Sequence, residues 1–350
     1  MIGSAFDRDH PSLTGRVAAA HRIGGMPWFL QRRDPSLHDT AVAEIVAQRS
    51  PSANLYLAAV GRSPTPEQYT RAVNWLLARD VDVIVDAGSY FPRTSRGVEQ
   101  FESAAARAAE AGAVFVTSAG NYADQHWRGR PSGTGWVSFA PGVKRNELGT
   151  GVVSGRVTLR LYWEGRADYD LYLYRDVPGP RDELVAKSAR ATGSTEAIDT
   201  VVPKGRYYVA VYARTGSVPV DLFAPGYSLA HADAAGSSLP PATARGVIAV
   251  GSVGPNGALR AYTSSVRDVS AADGVQTDAV GEFSGTSAAA PIVAGTVSSM
   301  VAETDDEKLS PSEIETILQQ TATGEVNRVD ADAAVARAAN VTDGGTVDGP

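Results

Sequence analysis

Between His38 and Val116 helical and extended patterns alternate in short, regular steps, and nothing else in the chain narrows its possible folds as far. Ala41, Val42, Ile45 and Val46 recur at helical spacing within His38 to Arg49, and Leu55 to Val60 follows as an apolar run of strand length. Thr65-Pro66-Glu67-Gln68 is a capping box with proline at the first helical position, opening a helix that turns Val73, Leu76 and Leu77 inward. Val81 to Val85 reads as the next strand, Val98, Phe101, Ala105 and Ala108 mark a further helix, and Ala113 to Val116 is a strand again. This succession predicts a doubly wound, mainly parallel α/β sheet covered on both faces. Functional groups in such sheets gather at the carboxyl ends of the strands, where Asp86 and Asn121 both fall.

From about Pro131 the period changes to two. Val157-Thr158-Leu159-Arg160-Leu161-Tyr162-Trp163, Asp170-Leu171-Tyr172-Leu173-Tyr174 and Tyr207-Tyr208-Val209-Ala210-Val211-Tyr212 alternate, with Gly, Pro and Asp between them. Strands without an intervening helix predict an antiparallel β-sandwich inserted at 135–232. The flanking parts of the first domain are then 1–134 and 233–340. Asp168-Tyr169-Asp170 has the oxygen chemistry of a structural calcium site, but two carboxylates at the start of a strand are more often a solvated turn, so no cofactor is expected. Helical text closes with the capping box Ser310-Pro311-Ser312-Glu313 before Ile314, Ile317 and Leu318, and the Gly- and Asp-rich tail 341–350 is expected to be disordered.

At 350 residues with 43% hydrophobic content, the chain is long enough for one large core and a smaller one. A net charge of −7 argues against nucleic-acid binding and leaves no basic patch for anionic membranes. The absence of cysteine removes disulfides, thiolate metal sites and a thiol nucleophile. No apolar run reaches the roughly 18 residues a membrane helix requires.

The chemistry points to Glu282-Phe283-Ser284-Gly285-Thr286-Ser287-Ala288-Ala289-Ala290-Pro291. Gly285 permits a close backbone approach, Ser287 falls where a helix starts, and Pro291 is expected in the first turn, where its missing N–H is tolerated. The uncharged run Ile292 to Val297 makes that helix a buried one. Its N-terminus would set a serine hydroxyl in the positive end of the helix dipole, beside backbone N–H groups able to hold an oxyanion. Taken alone, such a string is more often the cap of a core helix.

Gly285-Thr286-Ser287-Ala288-Ala289-Ala290-Pro291 resembles the serine motif of the subtilisin-like serine proteases, the subtilases, and departs from the G-x-S-x-G elbow of α/β-hydrolases at Ala289. Val116-Thr117-Ser118-Ala119-Gly120-Asn121 resembles the segment that ends in that family's oxyanion asparagine. Leu37-His38-Asp39-Thr40-Ala41-Val42-Ala43-Glu44 is similar to the H-G-T-H-V-A-G around its catalytic histidine. Ser50 to Leu57, Ala244 to Val253 and Val329-Asp330-Ala331 resemble further core segments, so the likeness covers nearly everything but the middle block.

The resemblance implies a subtilisin-like fold and a serine endopeptidase that acts on polypeptides; the chain is expected to be a monomer. Ser287 would be the nucleophile, His38 the general base and then acid, and Asn121 the side-chain donor to the oxyanion. Losing such a donor costs about 10²–10³ in rate, a figure measured on a subtilase. The family implies an extracellular location, although no secretion signal is recognisable at the start of the sequence. His10, His21, His126 and His231 have no motif around them.

The third catalytic member is missing. Met1-Ile2-Gly3-Ser4-Ala5-Phe6-Asp7-Arg8-Asp9-His10-Pro11 resembles the family's I-D-T-G-F-D-x-x-H-P, with Gly3 at the catalytic aspartate and Asp7 at a later, non-catalytic acidic position. Two readings stay open. Either the chain is a pseudoprotease that binds peptides, or another carboxylate orients His38. Asp86, in Val83-Ile84-Val85-Asp86-Ala87-Gly88, is the candidate, because the resemblance puts its strand beside the first one.

Overall fold

In the computed structural model, which describes residues 1–23, 37–304 and 308–342, the alternating segments become a seven-stranded parallel sheet. Its strands are β1 (Ile2–Gly3), β2 (Val17–Arg22), β3 (Leu55–Ala59), β4 (Val83–Asp86), β5 (Val114–Ser118), and, far downstream, β14 (Val247–Val253) and β15 (Val269–Ala272). They lie in the order β15-β14-β5-β4-β1-β3-β2. The two-residue β1 sits between β3 and β4, with Ile2 opposite both Ala58 and Asp86 and Gly3 opposite Ala59.

Strand alternation divides the core between the two faces of the sheet. Val85, Val114, Val116 and Val250 pack with α1 (Leu37–Arg49), α4 (Thr286–Glu303), α5 (Pro311–Thr321) and α6 (Ala331–Thr342). Ile2, Ile84 and Phe115 pack on the other side with Tyr69, Val73 and Leu76 of α2 (Pro66–Leu77) and Phe101 and Ala105 of α3 (Ser95–Glu110). Both expected capping boxes form: Thr65 accepts from the Gln68 N–H and Ser310 from the Glu313 N–H, and each acidic or amide partner returns the bond. Proline stands in the first turn of each helix.

Helix α1 buries residues 39 to 46 without a break, polar ones included, because the sheet covers one side and α4 another. The approach of α1 to α4 depends on Gly295, where an added Cβ would lie 2.4 Å from the Arg49 Cβ.

The second compact unit comprises Phe91–Val98 and Asn121–Ser238, a wider span than 135–232. Its strands are β6 (His126–Gly129), β7 (Gly135–Trp136), β8 (Asn146–Glu147), β9 (Val153–Trp163), β10 (Asp168–Asp176), β11 (Glu183–Ser188), β12 (Thr195–Thr215) and β13 (Val220–Phe223). All the pairings are antiparallel. The 21-residue β12 joins two leaves: its first half pairs with β9 and its second with β10. Val157, Leu159, Leu161, Leu171, Val209, Val211 and Leu222 make the apolar core of this unit. Asp170, 3% exposed, accepts from Arg214 Nη2 at 2.7 Å and the Tyr172 hydroxyl at 2.8 Å, so its carboxylate serves as an ion-pair partner inside the sandwich.

A short antiparallel pair, β16 (Val275–Thr277) and β17 (Gly281–Phe283), precedes α4. Of the tail expected to be disordered, Val341 and Thr342 close α6, and 343–350 lie outside the described residues.

Candidate active site

The carboxyl ends of β1, β4 and β5 and the first turns of α1 and α4 carry the residues singled out above, and short loops hold them. At the serine, Gly285 is the N-cap of α4 with φ +107°, a conformation that a side chain would strain. The helix therefore starts at Thr286, and Ser287 is its second residue. Pro291 consequently lies inside the helix rather than in its first turn, and the carbonyl four residues earlier, that of Ser287, lacks its helical donor. Ala288 and Ala289 donate to the Gly285 carbonyl, whereas the Ser287 N–H has no protein acceptor among the described residues. Ser287 is half-buried and its Oγ donates to the Ala87 carbonyl, just past β4, at 3.0 Å.

Thr286 is fully buried, and its Oγ1 accepts the Gly120 N–H at 3.2 Å. That bond fixes the end of β5 against the start of α4, and Gly120 takes φ +100° to make it. The next residue is Asn121, half-buried, whose backbone carbonyl accepts from Gln125 Nε2.

His38 is the second residue of α1. Its side chain is 45% exposed and its ring stands edge-on to Phe283, with centroids 5.1 Å apart. Phe283 ends β17, four residues before Ser287. On the other side of the ring, Nδ1 lies 2.9 Å from Asp39 Oδ1. A carboxylate can only accept, so Nδ1 carries the proton and Nε2 is left as a base.

Asp39 is thus the carboxylate on the histidine, and its Oδ2 accepts from the Ser4 N–H at 2.8 Å, the Ser4 hydroxyl at 2.5 Å and the Ala5 N–H at 3.2 Å. Burial pushes the Asp39 carboxyl up, but hydrogen bonds from His38 and Ser4, the His38 charge and the Ala5 N–H outweigh it and hold the group below its ordinary value. Next to it, Thr40 Oγ1 accepts the Asp7 N–H, so the first turn of α1 secures the whole segment after β1. The Asp7 carboxylate accepts from the Asp9 N–H, across a surface turn.

Asp86 is placed differently. Its fully buried carboxylate accepts from Tyr69 at 2.9 Å, the Gly88 N–H at 2.9 Å and Tyr90 at 3.1 Å, and it has no bond to His38 among the described residues. Burial raises its carboxyl to about 6 against the pull of those three donors. The strand adjacency expected of Asp86 is present, since it faces Ile2 across the ladder, but its side chain points to the α2–α3 face among Tyr69, Tyr90 and Phe101.

The sequence pattern conceals Asp39 because neighbours on a helix diverge by about 100° and do not ordinarily meet. The available signal is the departure itself, His38-Asp39-Thr40 where the family pattern reads H-G-T.

Glu44, also buried, ties the histidine helix to the approach to β17 by accepting from the Asp278 N–H at 2.6 Å and the Ala279 N–H at 3.1 Å. Among the described residues no cluster of three or more His, Cys, Asp or Glu could hold a metal ion, and no helix is long and apolar enough to cross a membrane.

The model of the Subtilase family matches residues 31–341. A search of curated proteins finds no match. Among solved structures, the CspB protease of Clostridium perfringens is similar at a TM-score of 0.63 with 16% identity, over 87% of this chain and 81% of that one. A point mutant of the PatA protease domain gives a TM-score of 0.54 at 15% identity, over 99% of this chain and 95% of that one. A lanthipeptide protease gives 0.54 at 15%, over 96% and 87%. At these identities the structural likeness establishes the fold.

Proposed function

The chain belongs to the subtilase family of serine proteases, and from that premise we propose that it is an endopeptidase working through an acyl-enzyme on Ser287. The observation that carries the reading is a serine standing half-exposed in the first turn of a helix buried from Ala288 to Val297, its N–H without a protein acceptor among the described residues, within four residues of the phenylalanine that packs on His38.

In the first half-reaction, Ser287 Oγ turns from the Ala87 carbonyl and attacks the scissile carbonyl carbon as His38 Nε2 takes its proton. The tetrahedral oxyanion accepts from the Ser287 N–H and, by the family's pattern, from the Asn121 side-chain amide. Collapse breaks the C–N bond, and the His38 imidazolium gives its proton to the leaving amine. Water then repeats the sequence on the ester, with His38 again as base, and releases the acid and free Ser287. The substrates are polypeptides, and no metal or organic cofactor takes part in these steps.

A second reading, a peptide binder that no longer cleaves, draws on Gly3 and on the Ser287 hydroxyl being given to Ala87 instead of His38. A fluorophosphonate probe separates the two. The enzyme labels at Ser287, labelling falls at least 10³-fold in His38→Ala, and fluorescent casein is cleaved by the same preparation. No labelling of the folded protein, or labelling indifferent to His38→Ala, refutes the enzyme reading.

A further inference from the structure

Among the departures from the family's pattern, which also fall at Ser4, Ala5, Ala41 and Glu44, those at positions 3 and 39 are reciprocal. Gly3 stands where the pattern has its catalytic aspartate, and Asp39 stands where the pattern has the glycine after its histidine. In the folded chain these positions compete for one space. A Cβ built on Gly3 would lie 2.8 Å from Asp39 Cγ, closer than real side chains come, and 3.0 Å from Asp39 Cβ. The volume beside His38 Nδ1 that a residue at position 3 would enter is therefore filled by the carboxylate of Asp39.

Building on the peptidase reading above, we propose that Asp39 is the positioning carboxylate of the catalytic histidine, and that glycine at position 3 is the condition for it. The carboxylate comes from the first turn of α1 instead of the end of β1, and it lies against the imidazole Nδ1. Three features fit a built arrangement rather than a chance surface pair. Asp39 is 8% exposed, its Oδ2 accepts from the Ser4 N–H, the Ser4 hydroxyl and the Ala5 N–H, and its Oδ1 faces His38 Nδ1. The donors to Oδ2 come from Ser4 and Ala5, directly after Gly3, so the segment that follows β1 holds the carboxylate in place. The contact is between consecutive residues, a pairing that helix geometry disfavours and that here depends on the first turn of α1 being anchored from outside.

Asp39 does not touch substrate in this account. It holds the Nδ1–H tautomer, so that Nε2 faces outward as the base, and it stabilises the imidazolium formed when Ser287 loses its proton.

The test is a set of exchanges read by fluorophosphonate kinetics and by spectra of 15N-histidine-labelled protein. Asp39→Asn retains an oxygen for Ser4 and Ala5 but offers His38 no carboxylate. Its inactivation rate constant falls at least 10²-fold while probe affinity stays within about 3-fold, and His38 loses its Nδ1–H tautomer. Asp39→Gly falls similarly, and Gly3→Asp alone falls because two carboxylates collide. The double exchange Gly3→Asp with Asp39→Gly removes the two Asp39 atoms from the three nearest to the new Cβ, and the third, the tip of Phe6 at 2.8 Å, must give way. It regains at least 10-fold over Asp39→Gly and recovers the tautomer.

A wild-type protein that labels through His38 while Asp39→Asn stays within 3-fold overturns this inference and leaves the peptidase reading intact. Absence of labelling in the wild type refutes the peptidase reading, and the spectra still decide the inference. An Nε2–H tautomer in the wild type overturns it, and an Nδ1–H tautomer that depends on Asp39 upholds it.

Discussion

Asp86 offers a sharp test of where the chain keeps its working carboxylates. Its carboxyl is raised from 3.8 to about 6, first by burial, with Gly88, Tyr69 and Tyr90 resisting the shift by hydrogen bonding to the charged form. The sign follows from linkage. A carboxyl that holds its proton more tightly in the folded state contributes stability below its unfolded value near 4, and that contribution is lost as pH rises through about 6. A shift of that size at about 1.4 kcal/mol per unit is worth at most about 3 kcal/mol at neutral pH. In a unit of 150–250 residues this moves a melting transition by roughly 6–12 °C. Asp86→Asn removes the titration and keeps the site polar, since its carbonyl can accept from Gly88 and a tyrosine hydroxyl can turn to accept from its amide. Calorimetry of both proteins from pH 4 to 7.5 should show the parallel-sheet transition of the wild type falling relative to the variant by up to that amount, titrations not coupled to Asp86 cancelling in the difference. Fluorophosphonate labelling of the variant should stay within a few-fold of wild type. Parallel melting curves refute the buried-acid account, and loss of labelling in a stabilised variant would return Asp86 to the chemistry.

Other outcomes follow from the same packing. Gly295→Ala drives a methyl into Arg49 Cβ, so α1 and α4 must part, at a cost of about 1–3 kcal/mol seen by calorimetry, and unchanged stability refutes the close approach. Glu44→Ala deprives the Asp278 and Ala279 N–H groups of their acceptor and should cost roughly 2–4 kcal/mol in urea or heat, with Glu44→Gln losing about half as much. Because the Asp39 carboxyl is held low, its contribution to stability is present above its unfolded value and disappears as pH falls through the folded one, so Asp39→Asn should flatten the acid limb of stability below about pH 4. Since Asp170 is paired with Arg214, a chelator should leave the melting of the sandwich unit unchanged, and a shift on calcium addition would refute that pairing as its resting state.

Much of this arrangement is legible without coordinates. The alternating pattern gives the parallel sheet because β-strands buried on both faces and helices with one apolar stripe have few other ways to pack. The two capping boxes fix helix starts at Pro66 and Pro311 through local chemistry alone. The first strand of the second unit is not legible: β6 has the sequence His126-Trp127-Arg128-Gly129, too short and mixed for a period to show, and it is a strand because Val220 to Phe223 pair with it. Propensity puts Pro291 in a first turn, but Gly285 caps the helix earlier than the proline suggests. For β6, contacts distant in sequence outweigh the local signal, and for Pro291 a backbone conformation open to glycine does so.

The missing aspartate is a different kind of illegibility. Matching a family's pattern assigns roles to positions, whereas hydrogen bonding assigns them to points in space, and the two agree only while each position keeps its residue. Position 3 has no carboxylate, so a search by strand adjacency leads to Asp86, the acidic residue opposite Ile2. Adjacency in a ladder, however, fixes the backbone and leaves the face open, and successive residues of a strand point to opposite sides. Asp86 therefore points to the α2–α3 face, while Ala87 presents its carbonyl to Ser287. The imidazole needs an acceptor at Nδ1 and is indifferent to which element supplies it. A helix whose first turn is already pinned by Ser4, Ala5 and Asp7 can supply one from the residue next to the histidine, provided the strand facing it has no side chain in the way. Gly3 is then not a lesion in the site but the space that Asp39 occupies, and a sequence search for relocated carboxylates should begin with paired departures in which one position gains what another has lost.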